Sequence, residues 1–191
     1  MDKQYKLTPF QINKLATAVH AWNKSVGWWD EPNPCMLTKM QLCSTEVAEA
    51  TEGVRKNLMD DHLPHRFMEE VELADTFIRA VDVGAYCDIV YESTDIVDTM
   101  AKEFELNKDS PAALHFFITC AVVSFGCSSF LKSEDSKPDP YMYSVLLDTI
   151  MFVAFLRGFD LAGAIDEKLV YNQNRADHKR ENRAKDHGKK F

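Results

Sequence analysis

Residues 45–49 read Thr45-Glu46-Val47-Ala48-Glu49, and residues 69–75 read Glu69-Glu70-Val71-Glu72-Leu73-Ala74-Asp75. Each stretch lies in a segment whose apolar residues recur with helical periodicity. In each segment two acids stand three residues apart, Glu46 with Glu49 and Glu72 with Asp75. Residues three apart share one face of a helix. The two stretches therefore predict two helices, each with a pair of carboxylates on one side.

The apolar stripes of these two helices run directly beside the acids. The first predicted helix covers about 36–57, with the stripe Leu37, Met40, Ser44, Val47, Ala50 and Val54. The second covers about 66–86, with the stripe Phe67, Val71, Ala74, Ile78, Val81 and Ala85. The connection is short, about 59–65, and helices joined in this way usually pack antiparallel. We therefore expect all four carboxylates to meet beside the interface.

Four converging carboxylates need positive charge nearby. One source is a hard divalent cation held by oxygen ligands, with Mg²⁺ as the natural occupant and Mn²⁺ as an alternative. The other is a purely structural network, in which Arg55, Lys56 and Arg79 neutralise the acids. The spacing favours neither interpretation over the other.

The rest of the chain also has helical patterns. Thr8-Pro9-Phe10-Gln11 has the cap, the first-turn proline and the glutamine of a helix start. Further helices are predicted at about 94–105, 111–131 and 142–157, and a last one begins after Asp160 and continues through Asn172. Strand-type alternation of useful length is absent. We predict an all-α antiparallel helical bundle in one domain, 1–191.

Charge and hydropathy narrow the possible partners. The net charge of −8 argues against broad nucleic-acid binding. Residues 168–191 carry eight Lys or Arg against three Asp or Glu, so a basic tail follows an acidic body. Such a tail suits a metal-bound polyphosphate, although a plain solvated tail explains it as well. Residues 111–131 lack charged side chains; we interpret them as a fully buried core helix and disfavour a membrane span.

The chain also shows a weak internal repeat. Leu73-Ala74-Asp75-Thr76 resembles Leu146-Leu147-Asp148-Thr149 at an offset of 73 residues. At the same offset, Thr119 and Val122 replace Glu46 and Glu49. The pattern predicts a duplicated helical hairpin, a pseudo-dimer whose second copy has lost its metal ligands. Residues 1–92 would then carry the acidic site, 93–157 would be an insertion or degenerate repeat, and 158–191 would supply the closing helix and the basic tail.

These motifs resemble those of the MazG-type all-α nucleoside triphosphate pyrophosphohydrolases, a superfamily that also includes dimeric dUTPases and dCTPases. The family pattern is E-E-x-x-E, a gap, then E-x-x-D. The chain is similar over Thr45–Glu49, with Thr45 in place of the first Glu, and over Glu69–Asp75. The stretch Glu167–Lys179 resembles the closing helix of the family, and the ending Gly188–Phe191 is similar to a bacterial and phage subgroup.

The resemblance implies Mg²⁺-dependent cleavage of nucleoside triphosphates, in particular dNTPs, to a monophosphate and pyrophosphate. Metal-binding and catalytic roles would fall to Glu46, Glu49, Glu72 and Asp75. Substrate-binding roles would fall to Lys168, Tyr171, Asn172, Arg175 and Lys179. Two further candidates come from the residues themselves: Lys39 can reach a phosphate, and Trp28 can stack on a base or simply pack. The replacement at Thr45 departs from the family pattern.

Three functional interpretations remain open at this point. The leading one is an enzyme that controls nucleotide pools. The second is an inactive nucleotide-binding regulator, and the third is a structural bundle without a ligand. The five cysteines form no C-x-x-C pair, and we expect reduced thiols in a cytoplasmic protein, in the host cytoplasm if it is phage-encoded. The resemblance further implies a homodimer, whereas the net charge and the composition of residues 111–131 lead us to expect no binding to nucleic acid or to a membrane.

Overall fold

The computed structural model describes residues 6–131 and 137–183, and their regular structure is helical, which confirms the all-α prediction. The α-helices are α1 (Pro9–Ser25), α2 (Met36–Lys56), α3 (Met68–Tyr86), α4 (Ile96–Glu103), α5 (Pro111–Phe130), α6 (Pro140–Arg157), α7 (Leu161–Asn174) and α8 (Arg180–Arg183), with a short 3₁₀-helix at Ala176–His178. The predicted helices therefore exist, with shifts of a few residues at some ends.

Local capping chemistry fixes several helix ends. Thr8 and Gln11 form a capping box at the start of α1, as the sequence predicts. Asp160 caps α7 by accepting a hydrogen bond from the Gly163 amide. Helix α6 begins two residues before its predicted start because Asp139 caps Pro140–Arg157.

Two predicted helices are shorter than expected because their first residues have other partners. Helix α3 starts at Met68, because Phe67 forms an isolated bridge with Met59 across the loop after α2. Helix α4 starts at Ile96, because the Thr94 amide donates to Asp148 at 2.7 Å. In both places a contact outside the helix, short-range for Phe67 and long-range for Thr94, overrides the local preference for helix.

Helix α3 is the centre of the bundle, and α1, α2, α6 and α7 all pack against it. Its side chains are buried on nearly every face, including Val71, Leu73, Phe77 and Val81. Helices α2 and α3 form one hairpin and α5 and α6 a second, with α2 against α5 and α3 against α6. This arrangement places α1, α2, α3 and α7 around one cleft.

Helix α5 is not fully buried, which corrects the sequence prediction. Leu114, Ile118 and Phe125 face the core, whereas Phe116 is 67% exposed and Val123 is 54% exposed. The exposed face is apolar and uncharged, so hydropathy alone could not separate it from the core face. By length and composition α5 and α6 are each able to cross a membrane, but soluble core helices meet the same criterion.

The counterpart of Asp75 in the predicted repeat is Asp148, which is completely buried. It accepts hydrogen bonds from the Tyr91 hydroxyl and from Thr94, and the Lys6 ammonium lies 3.0 Å away. Asp148 is thus neutralised and hydrogen-bonded within the chain and anchors the segment before α4. The internal duplication itself stays a prediction.

Candidate functional site

The antiparallel packing of α2 on α3 brings three acids together. One carboxylate oxygen each from Glu46, Glu72 and Asp75 lies within 4.8 Å of the other two. Glu46 and Glu72 are buried and Asp75 is half-buried. Two oxygens bound to one Mg²⁺ lie at most about 4.2 Å apart, twice the usual Mg–O distance. Small side-chain rotations would therefore let all three acids share one cation.

Glu49, the fourth predicted ligand, is not part of this group of three. It is exposed, and it lines the same cleft one turn further along α2. Partial burial, together with the negative charges of Glu46 and Asp75, raises the pKa of Glu49. The structure therefore separates the four predicted ligands into a buried set of three and one acid at the rim.

Two cations of the chain also contact the acids. Arg79 Nε and Nη2 both lie 2.6 Å from Glu46 Oε1, and Lys168 Nζ lies 3.0 Å from Asp75 Oδ2. Lys168, a predicted phosphate ligand, is itself buried. The other two structural partners considered from the sequence, Arg55 and Lys56, pair with Glu52 instead and do not line the cleft.

The charges of this group do not balance. Three carboxylates, if all are ionised, contact two cations, Arg79 and Lys168, which leaves one negative charge in excess within the group. Burial and the neighbouring Asp75 raise the pKa of Glu72 to about 9. Burial likewise raises the pKa of Asp75, although Lys168 opposes the shift. The site therefore either holds a proton at neutral pH or takes up a cation from solution.

A cleft of about 700 Å³ opens over this acidic group. Its walls come from α1, α2, α3 and α7, with Trp28 and Trp29 before α2, His62 before α3, and Arg175 and His178 after α7. Besides the acids, the lining residues are mainly aromatic or basic and include Trp22, Trp28, Trp29, His62, His178, Lys39, Arg79, Lys168 and Arg175. Asp82 also lines the cleft, seven residues after Asp75 on α3, which is about 10 Å along the helix. The cleft thus has an acidic end and an aromatic end.

Asp82 organises the aromatic end. Its carboxylate accepts hydrogen bonds from His20 and Asn23 of α1, each at 2.7 Å, and from Trp29 Nε1 at 3.0 and 3.1 Å. Trp29 in turn stacks on Tyr86 with ring centroids 4.3 Å apart. Sequence reasoning did not single out Asp82, although its spacing of seven from Asp75 places both on one helix face.

The predicted substrate residues on α7 and directly after it fall into different environments. Asn172 Oδ1 is buried in the cleft wall and accepts no hydrogen bond from the described residues. Arg175 lines the cleft and pairs with Asp177 at 2.7 and 2.9 Å. The Tyr171 ring does not line the cleft; it lies beneath Lys168 and Arg175, whose cationic groups are 5.7 and 5.4 Å from its centroid.

Of the remaining predicted substrate residues, some line the cleft and one does not. Lys39 lines the cleft, where its ammonium donates to the Trp28 carbonyl and lies 4.7 Å above the Trp29 ring. Trp28 also lines the cleft. Lys179 is exposed and does not line it. The ending Gly188–Phe191 and most of the basic tail lie outside the described residues.

Comparisons of the chain with protein-family models, with curated proteins and with solved structures give no match. The functional assignment therefore depends on the residues and the geometry of the cleft. At the position of the first Glu in the family pattern, Thr45 lies exposed in the cleft wall and donates to the Leu42 carbonyl.

Proposed function

We propose that this protein is a divalent-cation-dependent hydrolase that cleaves nucleoside triphosphates to a monophosphate and pyrophosphate. The observation that carries the proposal is the convergence of Glu46, Glu72 and Asp75 at one end of a cleft whose other end is aromatic. Carboxylates hold a hard cation, the cation and basic side chains hold phosphates, and aromatic rings contact a base.

The donor set fits Mg²⁺ or Mn²⁺ and would use Glu46, Glu72 and Asp75. When bound, the cation would neutralise phosphate charge and lower the pKa of water. Lys39 and Arg175 also line the cleft and would supply positive charge to phosphate oxygens. Lys168 and Arg79 orient Asp75 and Glu46, so they act on the substrate through those carboxylates.

Glu49 is the best candidate for the general base. It stands outside the group of three, it is reached by solvent, and its pKa is raised, which brings it nearer to neutral pH. In the proposed step a water oxygen attacks the α-phosphorus while its proton passes to Glu49. The bond from the α-phosphorus to the bridging oxygen breaks, and pyrophosphate leaves with that oxygen.

A nucleotide panel with and without Mg²⁺ tests this proposal, with phosphate measured after added pyrophosphatase. We expect turnover that requires Mg²⁺ and is lost in Glu72→Gln and in Glu49→Gln. Glu52→Gln is the matched control, because Glu52 is on the same helix as Glu49 but does not line the cleft. Absence of turnover with every nucleotide in the wild-type protein would refute the hydrolase.

The second candidate function is nucleotide binding without hydrolysis. It is favoured by Thr45 in place of a family Glu and by the pairing of Arg79 and Lys168 with two of the acids. Tight Mg²⁺-dependent binding of a nucleotide that remains intact would support this regulator. A structural bundle, the third interpretation, predicts instead that nucleotide and Mg²⁺ leave the melting temperature unchanged.

A further inference from the structure

The chain after α7 folds back over the aromatic end of the cleft. Helix α7 ends at Asn174 because Arg175 adopts an extended conformation (φ −66°, ψ 132°). The short 3₁₀-helix follows, and Lys179 is extended again (φ −70°, ψ 137°) before α8 begins. We call residues 175–183 the strap. These two breaks turn the strap away from the direction of α7.

The strap places one side chain, His178, among the aromatic residues of the cleft. The His178 ring meets Trp28 edge-on with centroids 5.4 Å apart, and its centroid is 6.3 Å from that of Trp22. His178 lines the cleft together with both tryptophans. It thereby occupies part of the volume at the aromatic end of the cleft.

One ion pair lies within the strap, and a second joins it to the rest of the chain. At its beginning the Arg175 guanidinium forms a two-pronged pair with Asp177. At its far end Arg180 Nη1 and Nη2 lie 2.6 and 3.2 Å from the two carboxylate oxygens of Asp30, which belongs to the loop between α1 and α2. The side chains of Asp30 and Arg180 are both more than half exposed, so this pair is weak and can open.

We propose that His178 is a specificity-determining residue, which limits the size of the base that the aromatic end accepts, and that the Asp30–Arg180 pair latches it in place. This inference rests on the proposed function, because it assigns the aromatic end to the base. With the latch closed, the His178 ring excludes volume that the second ring of a purine would need. Removing the ring or opening the latch enlarges the site.

The test measures dissociation constants of dATP and of dCTP by calorimetry in Mg²⁺ at low temperature, from the initial heats before turnover. We expect His178→Ala to improve dATP affinity relative to dCTP by about tenfold, the lower end of what a change in pocket size produces. Asp30→Arg should shift the same ratio in the same direction by a smaller factor. The charge-reversed pair Asp30→Arg with Arg180→Asp should return it to the wild-type value.

Glu31→Arg is the matched control for the charge change, since Glu31 is the exposed neighbour of Asp30 and has no ion pair among the described residues. It should leave the ratio unchanged. A ratio within twofold of wild type in His178→Ala, or a double reversal that behaves like Asp30→Arg alone, would overturn the inference and leave the proposed function standing. Failure of the wild-type protein to bind any nucleotide would overturn both.

Discussion

The substitution Glu72→Gln should stabilise the metal-free protein while it removes the response to Mg²⁺. Glu72 is buried, and its pKa is raised from 4.5 to about 9 by burial and by Asp75. At pH 7 folding must therefore protonate Glu72, which costs about 1.4 kcal/mol for each pH unit above 4.5, or about 3 kcal/mol. A glutamine is neutral without taking up a proton, so the free energy of unfolding of the variant should rise by up to about 3 kcal/mol.

The contribution of Glu72 to the free energy of unfolding should decrease as pH rises. Because the folded-state pKa of Glu72 lies above its ordinary value, its contribution to stability is complete below pH 4.5 and is lost as pH rises towards 9. The free energy of unfolding of the metal-free wild-type protein should thus fall relative to Glu72→Gln between about pH 5 and pH 9, by about 1.4 kcal/mol per unit.

Urea unfolding in chelator and in excess Mg²⁺ measures both halves of the prediction. Mg²⁺ at 100 times its dissociation constant should stabilise the wild-type protein by about 2.7 kcal/mol and the variant by much less. Glu52→Gln, a control on α2 outside the cleft, should respond to Mg²⁺ like the wild type. Destabilisation of metal-free Glu72→Gln, or an undiminished response of this variant to Mg²⁺, would contradict the prediction.

Further predictions concern the site and its supports. Mg²⁺ affinity should rise between pH 6.5 and 8.5, because the cation displaces a proton from the acidic group; equal affinities by calorimetry would contradict this. Gly84→Ala should lower the free energy of unfolding by about 1–3 kcal/mol, because a Cβ there would lie 2.3 Å from the Tyr143 ring; an unchanged urea midpoint would contradict the close packing of α3 on α6. Arg157→Ala should cost about 3 kcal/mol by leaving Glu69 buried and short of a partner. Burial raises the pKa of Glu69, but hydrogen bonds from His115 and Arg157 outweigh burial and lower this pKa. The stabilisation by Arg157 should therefore be lost as pH falls below the ordinary carboxyl range. An acid unfolding profile of Arg157→Ala identical to that of the wild type would contradict this prediction.

Much of the fold could be predicted because local signals agree with it. The Thr8–Gln11 capping box, the prolines at helix starts and the Asp160 cap all lie where the structure begins a helix. The shifted ends show what local signals omit. Thr94 lies outside α4 because its amide donates to the buried carboxylate of Asp148 on α6, 54 residues away in sequence. The periodicity of apolar residues cannot predict such a long-range contact.

The candidate site was predictable in part. The i, i+3 spacing and the short hairpin loop were enough to place Glu46, Glu72 and Asp75 together, because helix geometry fixes which residues share a face. They could not show that Glu49 stays exposed, since that depends on how far α2 rotates about its axis. The spacing and the loop length also could not predict the ion pair of Lys168 with Asp75, because it depends on how α7 packs against α3 in the tertiary structure.

The aromatic end was the least predictable part. Asp82 joins α1, α3 and the Trp29 loop through side-chain hydrogen bonds between residues 53 to 62 apart in sequence. His178 reaches the same place only because the chain breaks at Arg175 and turns back. Neither the hydrogen bonds of Asp82 nor the position of His178 can be predicted from the periodicity of apolar residues or from the charge of the tail.

The most direct test of the hydrolase is ³¹P NMR of the products formed from a deoxynucleoside triphosphate. We expect monophosphate and pyrophosphate signals to grow together when Mg²⁺ is present, and chelator or Asp75→Asn to prevent both. Release of orthophosphate with a nucleoside diphosphate, or an unchanged triphosphate across all bases, would contradict it.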